Sequence, residues 1–332
     1  MQKRIKWLAK LAATTITAAL LATSLAGCSS TIETAESKEL TVVTHDSAVF
    51  SKELLAEFKT QTGITVKQIK AGDTGAMTNK LVLTKDEPIG DAFFGIDNTF
   101  AGVATDNKIV DGKLTAVDFG DVCLNYDKHW FTLNEQAPPT SIADLTKPDF
   151  AGLTVLTNPA TSSPGLAFLA ATVAVFGDAG WQQYWRALKA NDVKIAAGWE
   201  DAYFTDFSGS SGKGNYPIVL SYSSSPAFEV RDDGISQTQS VLDGCFRQTE
   251  YAGVLAGAKN KTGAQKFVEF LTSKSFQKSL PDTMYVYPID ASIELPAAWA
   301  EWAPAATKPV GGQLDINANR KSWLADWSNI FD

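Results

Sequence analysis

His45 and His129 are the only two side chains of the 332-residue chain whose ordinary pKa lies near neutrality, and neither stands in a catalytic motif. The chain has no Gly-x-Ser-x-Gly elbow to raise a nucleophile and no His-Glu-x-x-His pair to hold zinc. The stretch from Gly209 to Gly214 is rich in glycine and serine around Lys213, but it lacks Walker spacing and a hydroxyl after the lysine. It reads as a solvated loop. Catalysis and a metal centre are therefore not expected, and the remaining polar chemistry is that of binding.

Five segments concentrate hydroxyls, carboxylates and aromatic rings. They are Thr44-His45-Asp46-Ser47, Gly72-Asp73-Thr74-Gly75, Asn158 to Gly165 with Ser162 and Ser163, Gly198-Trp199-Glu200-Asp201-Ala202-Tyr203, and Ser221 to Phe228 with Tyr222, Ser223, Ser224 and Ser225. Hydroxyls and free N–H groups at helix starts hold polar or anionic groups. Aromatic rings sandwich a flat ligand, and stacking on a cation contributes about 0.5–2 kcal/mol.

The elements around these segments are those of an open α/β sheet. Residues 39–45 alternate with β-branched side chains and predict a first strand; residues 51–60 place Leu54, Leu55 and Phe58 on one helical face behind a serine cap. Further strands are predicted at 63–69, 91–96, 122–126, 153–157 and 218–222. Helices are predicted near 79–83, from 141, and over 165–176, 180–190, 263–272 and 275–280. Strands alternating with helices at this spacing imply a mostly parallel sheet, and all five segments fall at carboxyl ends of strands or at helix starts, where such sheets place ligands. Trp299, Trp302, Trp323 and Trp327 lie at helical spacing near the end and read as packing anchors.

The first residues set the address. Lys3, Arg4, Lys6 and Lys10 precede an apolar run ending in Leu25-Ala26-Gly27-Cys28, which resembles a bacterial lipobox. Residues 1–27 are expected to be a lipoprotein signal peptide, Cys28 the lipidated N-terminus anchoring the chain to the outer face of the cell membrane, and residues 28–37 a flexible tether. Loss of those four basic residues leaves a mature chain more acidic than the −8 of the whole. Such a surface disfavours nucleic acid and favours a cationic partner. Outside the cytoplasm the two remaining cysteines, Cys123 and Cys245, are expected either to be joined or to be buried thiols.

Several stretches together carry a family resemblance. They are Leu40 to Ser47, Phe93 to Asn98, Leu124 to Lys128, Thr161 to Leu166, Gly198 to Tyr203, Val219 to Phe228, Phe276 to Pro281, and Tyr285 to Pro288. In order and spacing the mature chain resembles the thiamine-binding proteins of bacterial ABC importers. The resemblance implies an α/β, two-lobed fold of the type II periplasmic-binding-protein kind, with a hinge and an interlobe ligand cleft. It implies no cofactor, thiamine or a thiamine phosphate as ligand, and a monomer that delivers it to a membrane permease driven by a cytoplasmic ATPase. Residues 38–119 with 247–332 would form one lobe and residues 120–246 the other, putting Cys123 and Cys245 near the crossings.

Carried over residue by residue, Asp73 and Thr74 match a ligand-contacting acidic-small pair. Ser162 and Ser163 match the pair that binds the hydroxyethyl or phosphate end, and Trp199 matches a ring-contacting tryptophan. Tyr222, Ser223, Ser224 and Ser225 match a pocket loop; Phe228 and Tyr285 stand where the family has further aromatics. Where better-known members carry a tyrosine after the first strand, this chain has His45. The rival reading is a carrier for another solute, ferric iron in particular. Iron wants paired tyrosines and hard oxygen donors, and one tyrosine followed by three serines does not supply the pair.

Overall fold

The computed structural model describes residues 37–211 and 213–331; the signal peptide, Cys28 and all of the tether except Ser37 lie outside the described residues. In chain order the elements are β1 (Glu39–Thr44), α1 (Lys52–Thr62), β2 (Thr65–Lys70), α2 (Thr74–Leu83), β3 (Ala92–Asp97), α3 (Ala101–Asp106), β4 (Val110–Asp127), α4 (Lys128–Leu133), β5 (Thr154–Thr157) and α5 (Ser163–Ala190). There follow β6 (Lys194–Ala196), β7 (Ile218–Tyr222), α6 (Ser225–Phe228), β8 (Thr238–Leu255), α7 (Lys261–Leu271), α8 (Lys274–Thr283), β9 (Tyr287–Pro288), α9 (Trp299–Trp302) and α10 (Ile316–Phe331).

The described strands form one nine-stranded sheet in the order β2-β1-β3-β8-β4-β7-β5-β6, with β9 added beside β4. Its two ends are parallel, β1 with β2 and β3 on one side and β5 with β6 and β7 on the other. Its centre is antiparallel, because β8 runs against both β3 and β4, and β7 against β4. The sheet is therefore mixed rather than mostly parallel. The cause is the pair β4 and β8, 18 residues each, of which the sequence pattern exposed only residues 122–126. Three register shifts along the β4–β8 ladder explain this: each shift swaps the faces that side chains point to, so no single alternation survives.

Local chemistry sets the remaining boundaries. Ser51 caps α1 by accepting the N–H of Leu54 at 3.2 Å, and Gly63, at φ 73°, ends it. The helices predicted at 165–176 and 180–190 are one element, α5, broken at Gly177. By length and composition α5 could cross a bilayer, yet it lies in the core with Phe168, Trp181 and Trp185 buried.

Two apolar cores flank the sheet. Leu40, Val42, Phe50, Phe58, Phe94, Phe267 and Phe276 belong to one; Phe93, Phe100, Leu124, Leu166, Trp185 and Trp327 belong to the other. Trp185 meets Trp327 edge-to-face at 5.8 Å, so α10 packs on α5, although the sequence-based division puts those helices in different lobes. Trp299, Trp323 and Trp327 are buried. Trp302 is half-buried, with the Lys128 ammonium 4.8 Å from its ring.

Cys123 of β4 and Cys245 of β8 are joined by a disulfide, packed against Ala306. Nearby, the Arg247 guanidinium holds the fully buried carboxylate of Asp121 through two bonds of 2.8 and 2.9 Å, and Ala306 donates its N–H to the same group.

Candidate functional site

A cavity of about 600 Å³ opens among the loops that follow β1, β2, β6 and β7, the start of α5 and the end of α8. Its size is that of a small-molecule pocket.

His45 follows β1. Its ring lies so close over Gly95, itself at φ +102°, that a Cβ there would sit 2.0 Å from His45 Cδ2. Tyr222 at the end of β7 is seated the same way over Gly120, whose added Cβ would meet the ring at 2.8 Å. Both rings are thus pressed onto strands at positions where no other residue type leaves room.

Asp73 caps α2 and does more than a cap requires. Its Oδ1 accepts the N–H groups of Thr74 at 2.7 Å and Ser163 at 3.1 Å, and its Oδ2 accepts that of Trp199 at 2.9 Å. One carboxylate therefore joins the starts of α2 and α5 and the segment at 198–199. Ala76 N–H donates to Thr161 C=O at 3.0 Å, and Ser47 Oγ to Glu200 Oε1 at 3.2 Å, across the same gap. The loops from the two ends of the sheet are held together. Burial pushes the Asp73 carboxyl above its usual range, against the pull of those N–H donors and of His45.

The aromatic wall is continuous. Trp199 stacks on Tyr203 at 5.0 Å and lies edge-on to Phe204 at 5.5 Å and Tyr222 at 6.1 Å. Phe204 contacts Phe228 at 6.1 Å, and Phe228 meets Tyr285 edge-to-face at 5.0 Å. Trp199 is oriented by its indole N–H, which donates to Ser221 Oγ at 2.9 Å. Tyr203 and Phe204 sit on a wide helical turn, Asp201–Asp206.

Of the residues singled out from sequence, His45, Asp73, Thr74, Ser163, Trp199, Tyr222, Ser225, Phe228 and Tyr285 line this cavity. Ser162, Ser223 and Ser224 do not. Their hydroxyls are held within the protein: Ser162 Oγ donates to Thr157 Oγ1 at 3.0 Å, Ser223 Oγ bonds Tyr287 Oη at 3.1 Å, and Ser224 Oγ donates to Tyr285 C=O at 2.5 Å. All three are buried. Thr74 lines the wall although its hydroxyl is committed to Gly95 C=O at 2.9 Å. The polar segments thus divide between ligand-facing groups and groups that fix the loops.

Phe204, Met284 and Glu250 also line the cavity and were not singled out from sequence. Glu250 is the consequential one. Its Oε2 lies 3.4 Å from His45 Nε2, an ionic contact without hydrogen-bond geometry. Burial alone would lower the His45 pKa; Glu250, Asp73 and Asp46 more than offset it and leave it raised. Altogether Asp46, Asp73, Glu200, Asp201 and Glu250 face the cavity, against Lys70 and His45. The Lys70 ammonium is taken up by the Asp46 carbonyl. Among the described residues no group of three or more His, Cys, Asp or Glu side chains is arranged to hold a metal ion.

The family model of the bacterial extracellular solute-binding proteins matches residues 93–307. The chain belongs to that family. The thiamine-binding periplasmic protein of Escherichia coli (strain K12) is 28% identical over 313 residues, which cover 87% of this chain and 92% of that protein. The solved structure of a periplasmic thiamin binding protein superposes with a TM-score of 0.78 at 25% identity, covering 89% of this chain and 96% of that one. A ferric binding protein from Campylobacter jejuni reaches a TM-score of 0.70 at 18% identity, over 88% of this chain and 99% of that one, a likeness of fold alone. The mixed α/β architecture is that of periplasmic binding proteins. The cavity lies at carboxyl ends of strands, where open α/β sheets place ligands.

Proposed function

We propose that this chain is the substrate-binding component of an ABC importer, capturing thiamine or its phosphates outside the cytoplasmic membrane. The observation that carries the reading is the wall from Trp199 to Tyr285 facing five carboxylates. A flat ligand with a fixed positive charge finds there both stacking partners and counter-charge. The similarity to thiamine-binding periplasmic proteins over 87% of the chain supports the same solute.

In this reading residues 38–119 with 247–332 form one lobe and residues 120–246 the other, with α10 of the first reaching across to pack on α5 of the second. β4 and β8 serve as the hinge strands, and the Cys123–Cys245 disulfide ties them together. Ligand stabilises the closed form because both sides of the cleft then touch it. Ser163 and Trp199, both donating their N–H groups to Asp73, form with it the seam that closes. The chain acts as a monomer, held through lipid on Cys28 close to its permease, and the energy of transport comes from a cytoplasmic ATPase. The protein binds its solute and transforms nothing.

Isothermal titration with thiamine, thiamine monophosphate and thiamine diphosphate tests the assignment. Heat with at least one of them is expected, with quenching of tryptophan fluorescence in the absence of metal; no heat with all three overturns it. A ferric carrier would instead take up iron with a coloured charge-transfer band.

A further inference from the structure

Beneath the cavity three carboxyl residues lie in a row across adjacent strands. Glu250 of β8 pairs in register with Asp97 of β3 on one side and with Asp118 of β4 on the other. Residues directly opposite on neighbouring strands share a face of the sheet with Cβ atoms about 5 Å apart. Asp118 is fully buried, and neither of its carboxyl oxygens has a hydrogen-bond partner. Asp97 is equally buried; it accepts bonds from Thr99 and Phe100 and is linked through Gln248 to the Tyr222 hydroxyl. Glu250 alone of the three reaches the cavity.

The titratable groups around this row are His45 after β1, Tyr222 of β7 and Tyr251 of β8, with Asp46 and Asp73 beside His45. His45 is the one of these that can carry positive charge. A buried carboxylate without a partner is too costly to keep ionised, so in the empty protein protons must fill the deficit. Burial holds Asp118 well above the carboxylate range and Asp97 at about 6, the neighbouring Glu250 charge adding to both.

We infer that Glu250 is the residue that selects a permanently cationic ligand, and that the arriving cation expels a proton from the Asp97–Asp118 pair that flanks it. Uncharged relatives of the ligand neither repay the buried negative charge nor displace the proton. The inference rests on the thiamine reading and adds a charge requirement and a proton balance to it. One ligand cation enters and up to one proton leaves, so affinity rises with pH.

The test is titration calorimetry of the full mature protein with thiamine, at about pH 6, in two buffers of different ionisation enthalpy, repeated between about pH 5.5 and 8. Proton release and at least about ten-fold tighter binding at the upper pH are expected, since one linked proton changes affinity about ten-fold per pH unit. An uncharged thiophene isostere of thiamine should bind at least about ten-fold more weakly and release no proton. Glu250→Gln should weaken thiamine but not the isostere, and remove most of the pH dependence. Should that variant fail to fold, Asp118→Asn, which lies outside the cavity wall, should lower the proton count. Thiamine binding that is independent of pH, or an isostere that binds as tightly, overturns the inference alone. Failure of thiamine and of both its phosphates to bind at any pH removes the assignment of the solute and this inference with it.

Discussion

The Asp73 Oδ2 atom accepts the backbone N–H of Trp199 at 2.9 Å, although the two residues stand at opposite ends of the sheet and 126 positions apart. The same carboxylate holds the start of α5 through Ser163. A carboxylate with two N–H donors from the facing loops makes one side chain the main tie across the cavity, beside the Ala76–Thr161 and Ser47–Glu200 bonds. Asp73→Ala should therefore weaken ligand binding by at least about ten-fold, in line with loss of charge-assisted hydrogen bonds of about 1.5–3 kcal/mol. The dissociation rate should rise more than the association rate falls. Stopped-flow fluorescence of ligand binding measures both, and an unchanged dissociation rate would count against Asp73 as the closing contact.

Trp199 stands between Tyr203, Phe204 and Tyr222 with its indole N–H donated to Ser221. Trp199→Ala should reduce thiamine affinity by about 1–2 kcal/mol, roughly 5- to 30-fold, and remove most of the ligand-induced fluorescence quench. Trp199→Phe, which keeps a ring but loses the bond to Ser221, should fall between the two in affinity.

The disulfide closes a loop of 122 residues. In the chain-entropy picture such a loop is worth about 4–5 kcal/mol. Cys123→Ala combined with Cys245→Ala should lower the unfolding free energy by several kcal/mol in denaturant titration. Reduction of the unaltered protein should have a similar effect on its unfolding midpoint and none on that of the double variant.

Asp97 gives stability a pH dependence with a definite sign. Burial raises its folded pKa to about 6, above the unfolded carboxylate value. The native state therefore holds this proton more tightly than the unfolded chain. The corresponding stabilisation is complete at pH below the unfolded value and is lost as pH rises through about 6. Unfolding of Asp97→Asn and of the unaltered protein, compared at about pH 4.5 and 7.5, isolates the contribution of this residue. The variant should gain on the unaltered protein at the higher pH, by roughly 2 kcal/mol relative to the lower. An identical difference at both pH values would contradict the raised pKa.

Much of the cavity was legible along the chain because it is built from loop segments. Hydroxyls, glycines and aromatics clustered after strands mark ligand-facing turns whatever the rest of the fold does, and His45, Asp73, Trp199, Tyr222 and Phe228 all came from such clusters. What the sequence did not separate was the placement of neighbouring hydroxyls. Ser224 and Ser225 are adjacent and chemically the same, yet one bonds Tyr285 C=O and the other faces the cavity; only the turn of α6 against the loop at 285 decides between them.

Glu250 shows the other limit. By itself the sequence determined β1, β2, β3, β5 and β7, the cysteines able to pair and the acidic, aromatic character of the binding segments, while the three-residue edge strand β6 was too short to read. These follow from local periodicity, residue type and count. The tertiary structure alone decided that β4 and β8 run the length of the centre, because their bulges erase any alternation that could be read in one dimension. Through that pairing it decided that Glu250 would stand between Asp97 and Asp118 and against His45. Electrostatic coupling falls with distance in space, and residues more than a hundred positions apart become neighbours only once the strands are laid side by side.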